Sequence, residues 1–438
     1  MQNNKMHFSA FFGLVMLGAA SVANATLPIQ HWKTPSGASV LYVENHDMPM
    51  VDFKVEFAAG SSYDTRAVSG LAGMTRHLMP LGAGKMSEDQ ISSKLADMGV
   101  QMGGDFDRDL SAFSLRTLTS ETAPAVEILA SIIEQPVFDE KVLEREKSRQ
   151  IAVLKDAEMN PGHLAEENFT KMLYGNHPYA LQPEGTIDTV KSLTRDEMVD
   201  FYRKHYTAGR EVISIVGDIS RQDAEKAAAE LSGHLGPDVA LPAIPEVANP
   251  AAPETKMIPY PSSQSHILIG YPGVKRDDPD YFPLLVGNYV LGGGGFESRL
   301  LNEVREKRGL AYSVYSYFFP LEERGPFKVG LQTRKDQTQE ALSIVMKTID
   351  DFVKNGPTEK DLVAAKENLV GGFPLRIDSN AKILDYLGMI GFYHLPLTYL
   401  DDFTNKVNAV TVEDIRDAFA RRIDPSKMVT VVVGAPGG

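Results

Sequence analysis

The chain has 438 residues and a formal net charge of −14, with 43% hydrophobic and 23% charged residues. This composition is typical of a globular protein of two or three domains and excludes a disordered chain. The excess of carboxylates argues against nucleic-acid binding, because phosphate backbones would be repelled on average. No cysteine is present, so disulfides and lipid anchoring through cysteine are excluded.

The first 25 residues have the features of a secretory signal peptide. Lys5 supplies a positive start, residues 8–20 are apolar and uncharged, and residues 23–25 (ANA) form a small-x-small cleavage site. The apolar run is shorter than the roughly 20 residues that span a bilayer, and no later run reaches that length. We therefore expect an exported chain with no membrane anchor. The lack of disulfides and of lipidation favours the periplasm of a Gram-negative bacterium.

The first half, residues 26–235, contains predicted strands and amphipathic helices. Within residues 51–62, the stretch 51–57 alternates apolar and charged side chains and predicts a half-buried strand, and residues 109–118 form another strand. Residues 122–135 carry apolar residues at every third or fourth position, which predicts an amphipathic helix. Residues 57–64 predict a strand end and a turn. Two positions for this strand stay open: a sheet edge, where an extended peptide would pair with it, or the sheet interior.

A proline-rich stretch, residues 236–255, separates the two halves. It contains five prolines and shows no helical or strand period, so we predict an extended, semi-rigid linker. The second half, residues 256–438, repeats the plan with a strand at 325–334 and an amphipathic helix at 338–355. The predicted organisation is therefore a signal peptide, a first domain, a linker and a second domain.

An internal similarity relates the two halves. Residues 192–218 align with residues 409–435 at a constant offset. The matched residues are Thr194 and Thr411, Tyr202 and Phe419, and Gly217 and Gly434. Each segment predicts a threonine-capped helix, a turn and a buried strand. Strands followed by helix pairs, twice over, predict a duplicated α+β fold with antiparallel sheets and helices packed on one face.

The chain resembles the insulinase and pitrilysin type of zinc metallopeptidase, in the small form found in bacteria and in mitochondrial processing peptidase. The resemblance covers residues 30–435 and rests on four segments in order, namely 70–79 (GLAGMTRHLM), 173–180 (LYGNHPYA), 202–218 and 300–316 (LLNEVREKRGLAYSVYS). It implies two homologous α/β-roll domains. The family's H-x-x-E-H motif places two histidine zinc ligands on one helix face, with the glutamate as general base.

The motif is degenerate here, because residues 73–77 read GMTRH. Gly73 replaces the first histidine, Arg76 replaces the glutamate, and only His77 remains. Arginine cannot act as a general base because it stays protonated. No H-x-x-E-H or H-E-x-x-H occurs elsewhere in the sequence.

The family's third zinc ligand is a glutamate on a later helix, and the resemblance puts its equivalent near Asp156 or Glu158. A catalytic zinc needs three protein ligands, and Arg76 would add a fixed positive charge beside a dication. We therefore predict that this chain binds no zinc and that His77 is a partly buried helix residue.

The second half keeps a different pair, Arg305 and Tyr312, followed by Tyr315. The resemblance implies that the arginine and the tyrosine contact the substrate backbone and the reacting carbonyl, to which both side chains can donate hydrogen bonds. The alternative is a solvated helix arginine and a half-buried strand tyrosine. The glycine-rich segment 291–300 lacks the Gly-Lys-Ser/Thr of a phosphate-binding loop, so a flexible entry to the Arg305 helix is favoured.

These features predict a non-catalytic subunit. Some members of the family work as heterodimers, in which one chain holds zinc in H-x-x-E-H and its partner supplies the arginine and the tyrosine. We expect this chain to pair with such a homologous zinc subunit and to help cleave exported peptides or small proteins. Two alternatives stay open: a stand-alone peptide-binding or chaperone-like pseudopeptidase, and a peptidase with an atypical metal site.

Overall fold

Two sheets, one in each half of the chain, organise the fold of residues 27–435, the part that this computed structural model describes. The signal peptide and its cleavage site, predicted within residues 1–25, lie outside these residues. Among the described residues, no helix combines the length and the apolar character needed to cross a bilayer.

The first half contains eight strands and eight α-helices among the described residues. The strands are β1 Gln30–Lys33, β2 Ser39–Glu44, β3 Met50–Phe57, β4 Gly82–Ala83, β5 Met86–Ser87, β6 Gln101–Gly103, β7 Ser111–Leu118 and β8 Glu211–Gly217. The helices are α1 Leu71–Leu78, α2 Glu88–Asp97, α3 Thr122–Glu134, α4 Glu140–Ala157, α5 Pro161–Tyr174, α6 Ile187–Ser192, α7 Arg195–His205 and α8 Arg221–Ser232. Six strands form one sheet in the order β1-β2-β8-β3-β7-β6, and β4 pairs with β5.

The second half repeats this plan with a five-stranded sheet. Its strands are β9 Glu254–Pro259, β10 Gln264–Pro272, β11 Ala311–Phe318, β12 Pro326–Arg334 and β13 Val429–Ala435. Its helices are α9 Tyr281–Asn288, α10 Arg299–Leu301, α11 Thr338–Asn355, α12 Glu359–Gly371, α13 Asn380–Phe392, α14 Tyr399–Ala409 and α15 Val412–Arg422. The sheet order is β11-β12-β10-β13-β9.

The predicted α+β class and the two-domain architecture are confirmed, but the sheets are mixed rather than purely antiparallel. β2 runs parallel to β8, and β9 runs parallel to β13, while the other pairs in the two large sheets are antiparallel. Each parallel pair joins strands from the beginning and the end of one half. The long intervening chain provides the crossover that parallel pairing requires.

The internal similarity extends to matching local geometry. Thr194 and Thr411 each cap their helix by accepting a hydrogen bond from the backbone N–H three residues later, as part of a complete capping box. Gly217 and Gly434 have positive φ angles of 143° and 101°. A Cβ atom on either glycine would lie within 2.5 Å of a backbone oxygen on the neighbouring strand, so both positions require glycine.

The strand that ends before residues 57–64 lies inside the sheet. β3 pairs with β7 on one side over its whole length and with β8 on the other from Val51 to Phe57. The alternative that placed this strand at a sheet edge is therefore wrong. The edges of the two large sheets are β1 and β6 in the first half and β9 and β11 in the second.

The two halves exchange a helix. α5, from the first half, packs on strands β10 and β13 of the second sheet, and α13, from the second half, packs on strands β2, β3 and β8 of the first. Phe169 of α5 lies directly over Gly270, where a Cβ atom would come within 2.5 Å of the ring. Gly388 of α13 lies equally close to Glu56 of β3. Each sheet is thus covered by a helix of the other half.

An ion pair accompanies each exchanged helix. Lys54 of β3, whose side chain is 8% exposed, lies 3.0 Å from Asp385 of α13 and 2.8 Å from Asp105. On the other sheet, Lys328 of β12 contacts Glu166 of α5. Buried ammonium groups need such partners, because an unpaired buried charge is costly. Each contact therefore ties an exchanged helix to the sheet that it covers.

Glu56, beside Lys54, should make the stability of the fold depend on pH. Burial raises the pKa of Glu56 to about 7, from an ordinary value of 4.5, although Lys54 opposes the shift. The folded state then keeps a proton that the unfolded state loses, so the free energy of unfolding falls as pH rises from about 4.5 to about 7. One pKa unit corresponds to about 1.4 kcal/mol, so this shift accounts for a decrease of about 3 kcal/mol in the free energy of unfolding. We expect Glu56→Gln, which has no carboxyl group to titrate, to lack that decrease. Urea unfolding at several pH values measures the free energy of unfolding of both proteins. The same pH dependence in the wild type and in Glu56→Gln would contradict a raised pKa for Glu56.

The segment between the halves has no helix or strand from residue 237 to residue 253. It contacts both halves: Val247 is buried in a small core with residues of α5 and of strands β10 and β13, and Nε2 of His177 lies 2.7 Å from the carbonyl oxygen of Pro245. β9 begins at Glu254, within the last two residues of the predicted linker. The boundaries 26–235, 236–255 and 256–438 stay a prediction.

Candidate functional site

The motif residues lie on helix α1, as predicted. Asp64, which precedes the helix by several residues, caps its first turn. The Asp64 carboxylate accepts hydrogen bonds from the backbone N–H groups of Gly70 and Ala72 at 2.8 and 3.0 Å. Gly70 supplies the left-handed φ of 92° from which the helix starts. The apolar face of α1 is buried in the core of the first half, and this leaves Arg76 and His77 on the side that faces α4 and the sheet edge.

The position of the family's first histidine is closed. A Cβ atom on Gly73 would lie 2.9 Å from the carbonyl oxygen of Pro183 and 3.2 Å from the ring of Phe106. Real Cβ atoms essentially never come within 3.0 Å of another heavy atom, so even alanine would require the Pro183 backbone to move. The site therefore has no room for an imidazole at this position.

Arg76 occupies the place of the general base and is bound to the sheet. Its Nη2 donates to the carbonyl oxygen of Ala112 at 2.9 Å, its Nε donates to the same oxygen at 3.3 Å, and its guanidinium lies 5.1 Å from the centre of the Phe113 ring. Burial lowers the pKa of Arg76, but arginine remains protonated in proteins. A fixed positive charge therefore lies one residue from His77.

His77 contacts a carboxylate that is already bound by cations. Its Nε2 lies 3.0 Å from Oε2 of Glu146 on α4, while Oε1 of Glu146 accepts hydrogen bonds from Arg145 at 2.6 Å and Arg149 at 2.8 Å. Burial opposes ionisation of Glu146, whose side chain is 4% exposed, but the bonds from His77 and Arg145 outweigh it and lower its pKa. The carboxylate is thus saturated by protein donors.

Asp156 and Glu158, the sequence candidates for the third ligand, are not the carboxylates beside His77. Both are exposed near the end of α4, and Asp156 lies ten residues after Glu146, about 15 Å further along the helix. The family resemblance identified the correct helix, α4, but not the turn of α4 that faces α1. His77 itself has a side chain that is 54% exposed, which is more than the partly buried residue predicted.

These contacts do not fit a zinc ion. The structure brings together one histidine, one carboxylate that two arginines bind, and a third arginine, Arg76, whereas a catalytic zinc requires three protein ligands. Within residues 27–435, no group of three or more His, Cys, Asp or Glu side chains is arranged to hold a metal ion. The prediction from the sequence that the chain binds no zinc rests on this chemistry and awaits measurement.

Arg305 and Tyr312 lie together in the second half. Arg305 belongs to a π-helical turn, Asn302–Glu306, and Tyr312 is the second residue of the edge strand β11, within a bulge. The Cζ atom of Arg305 lies 5.0 Å from the centre of the Tyr312 ring and 5.2 Å from the centre of the Phe296 ring. Tyr312 is 84% exposed, so it is not the half-buried strand residue of the alternative interpretation.

The donors of Arg305 are almost free. Its Nε lies 3.4 Å from a carboxylate oxygen of Glu306, and the described residues offer its guanidinium no closer acceptor. Aromatic rings contact the faces of a guanidinium and leave its in-plane N–H groups available. No hydrogen bond or ion pair among residues 27–435 connects Arg305 or Tyr312 with α1, so the altered motif and this pair form two separate sites.

Comparison with known proteins identifies the family. A solved structure from Pseudomonas fluorescens, described as a peptidase M16 inactive domain, superimposes with a TM-score of 0.90 and is 39% identical over 94% of this chain and 99% of that one. The chain belongs to the insulinase family, peptidase family M16. The family profile "Insulinase (Peptidase family M16)" matches residues 39–186, and "Peptidase M16 inactive domain" matches residues 192–369.

Other M16 relatives have names of two kinds. A Streptomyces coelicolor protein named as an uncharacterized zinc protease is 28% identical over 95% of this chain and 90% of its own length. A Helicobacter pylori protein named as a non-peptidase homolog is 24% identical over 96% of both chains. With its altered motif, this chain is an M16-family protein of the inactive type.

Proposed function

We propose that this protein is the non-catalytic subunit of an exported heterodimeric zinc metallopeptidase. It binds peptide and places Arg305 and Tyr312 in the active site of a homologous subunit that carries H-x-x-E-H and zinc. The proposed location is the periplasm, in agreement with the signal-peptide features of residues 1–25.

The observation that carries this proposal is the contrast between the two sites. In the first half, Gly73 and Arg76 remove the zinc chemistry, and Pro183 closes the position of the first ligand. In the second half, Tyr312 is exposed and the Arg305 donors lack strong partners, which suits groups that act on a substrate outside this chain. A chain that has lost one site and retained the other fits a two-subunit enzyme.

The first sheet also offers a place for an extended peptide. The edge strand β6 borders a cavity of about 380 Å³, which the first turns of α13 close on the other side. Its polar walls include Asp52, Lys54, Asp105 and Asp385. A peptide that pairs with β6 would gain main-chain hydrogen bonds, and its side chains would enter the cavity. This arrangement supports peptide binding by the subunit itself.

The test is reconstitution. The mature chain and an H-x-x-E-H homologue from the same organism are purified separately and mixed, and peptide cleavage is measured for each protein and for the mixture. We expect a stable complex in gel filtration and cleavage only by the mixture. A homologue that is fully active alone and unaffected by this chain would contradict the proposal and favour a stand-alone peptide-binding pseudopeptidase.

A further inference from the structure

The ring of Phe296 contacts the guanidinium of Arg305. Phe296 belongs to a short 3₁₀ turn, Gly295–Glu297, within the glycine-rich segment 291–300, and it is 75% exposed. Large apolar side chains exposed to this degree are costly in water and commonly mark binding surfaces when they are grouped. Here two such rings, Phe296 and Tyr312, contact one guanidinium.

The neighbouring strand favours an extended peptide as the ligand. β11 is the edge strand of the second sheet, and its eight residues, AYSVYSYF, include no charged residue and no proline. Natural edge strands are normally protected by charge, proline or short length. The other three edges follow that rule: β9 contains Glu254, Lys256 and a proline, β1 contains Lys33, and β6 has three residues. β11 therefore offers a longer unprotected edge than β6, although the carbonyl oxygen of Ser316 already accepts a hydrogen bond from Asn288.

The face of β11 next to α5 is also suited to a peptide. Tyr315 and Tyr317 stack in parallel with their ring centres 5.5 Å apart, and the Tyr315 ring lies over Gly330 of β12, where a Cβ atom would come within 2.6 Å of it. Ser313 and Tyr315 border a small cavity of about 150 Å³ with His266. Burial lowers the pKa of His266, and the one carboxylate at this cavity, Glu166, is paired with Lys328.

We propose that Phe296, Arg305 and Tyr312 form a side-chain subsite that selects peptides with an aromatic or large aliphatic residue. The peptide lies along β11 as an added strand. Its apolar side chain covers the two exposed rings, and the in-plane N–H groups of Arg305 donate to its backbone carbonyl oxygens. Phe296 is thus a specificity residue that also positions the arginine. This inference rests on the proposed function for the presence of a peptide beside Arg305.

The test uses the purified mature chain without any partner. Two fluorescein-labelled peptides of about ten residues, built from serine, threonine and glutamine, differ in one central residue, phenylalanine or alanine. Binding is followed by fluorescence anisotropy. We expect the wild-type chain to bind the phenylalanine peptide about tenfold more tightly than the alanine peptide, from apolar burial and cation–π contact. Phe296→Ala should abolish most of that preference, and Phe296→Tyr, which keeps the ring, should retain it.

Val153→Ala is the matched control, because Val153 is a similarly exposed apolar residue on α4 of the other half. It should leave the preference unchanged. Equal binding of the two peptides by the wild type, or a preference that survives Phe296→Ala, would overturn the subsite. This binding assay contains no partner subunit, so its result is independent of the reconstituted cleavage assay. If the chain selects the phenylalanine peptide but does not activate a zinc subunit, only the proposed function is contradicted.

Discussion

Replacing Tyr312 by phenylalanine should lower kcat of the reconstituted heterodimer by about 10²–10³, with little change in KM. The substitution keeps the ring, and hence its contact with Arg305, and removes only the hydroxyl group. If that hydroxyl donates to the scissile carbonyl as negative charge develops, its contribution appears in the transition state. Because Tyr312 is exposed in the free chain, the change should not impair folding.

Arg305→Ala should reduce kcat at least as much, and should also weaken peptide binding because it removes several donors. Tyr315→Phe is the control. The Tyr315 ring lies against Gly330 on the side of β11 that faces α5, away from Arg305, so its hydroxyl should matter less. Steady-state cleavage of one peptide measures all three variants, and gel filtration checks assembly. An unchanged kcat for both Tyr312→Phe and Arg305→Ala would show that this chain contributes no chemistry.

The second large effect concerns the link between the halves. Lys54→Met should lower the free energy of unfolding at pH 8 by about 3–5 kcal/mol, because it leaves a buried carboxylate without its cation. The carboxylate is Glu56, which is 2% exposed and lies 3.5 Å from the ammonium group, and Asp385 would lose its contact as well. Burial alone would lower the pKa of Lys54, but the surrounding carboxylates raise it, so the lysine is charged in the wild type.

The matched comparison is Lys328→Met on the second sheet. Its partner, Glu166, is about half exposed and can be solvated when the lysine is lost, so a smaller effect is expected. Lys226→Met, which removes an exposed lysine paired with Asp223, should leave the stability unchanged. Urea unfolding of the three variants measures the differences. A loss for Lys54→Met no greater than that for Lys226→Met would contradict the importance of this buried cluster.

The sequence predicts local structure well where the pattern is repeated or capped. The helix predicted at 338–355 has those bounds in the structure, and both predicted threonine caps are present. The sequence reveals the duplication because Thr194 and Thr411 cap equivalent helices, and Gly217 and Gly434 have positive φ angles at equivalent positions. Caps and positive-φ glycines depend on a few neighbouring residues, so one sequence suffices to find them.

Long-range packing could not be read in the same way. Nothing in the periodicity of α5 or α13 indicates that each covers the sheet of the other half, and alternation along β3 does not distinguish an interior strand from an edge strand. Likewise, Glu146 and Asp156 are both helix carboxylates, and only the position at which α1 meets α4 selects Glu146. The closing of Gly73 by Pro183 also depends on a loop that is distant in sequence.

The zinc content of the purified mature chain tests the central claim most directly. We expect less than about one tenth of a zinc ion per chain by elemental analysis after dialysis against zinc and then buffer, because His77 and Glu146 offer too few ligands beside three arginines. The double variant Gly73→His with Arg76→Glu should also fail to gain zinc, since Pro183 occupies the space of the new side chain. One zinc ion per wild-type chain, lost in His77→Ala, would contradict the account.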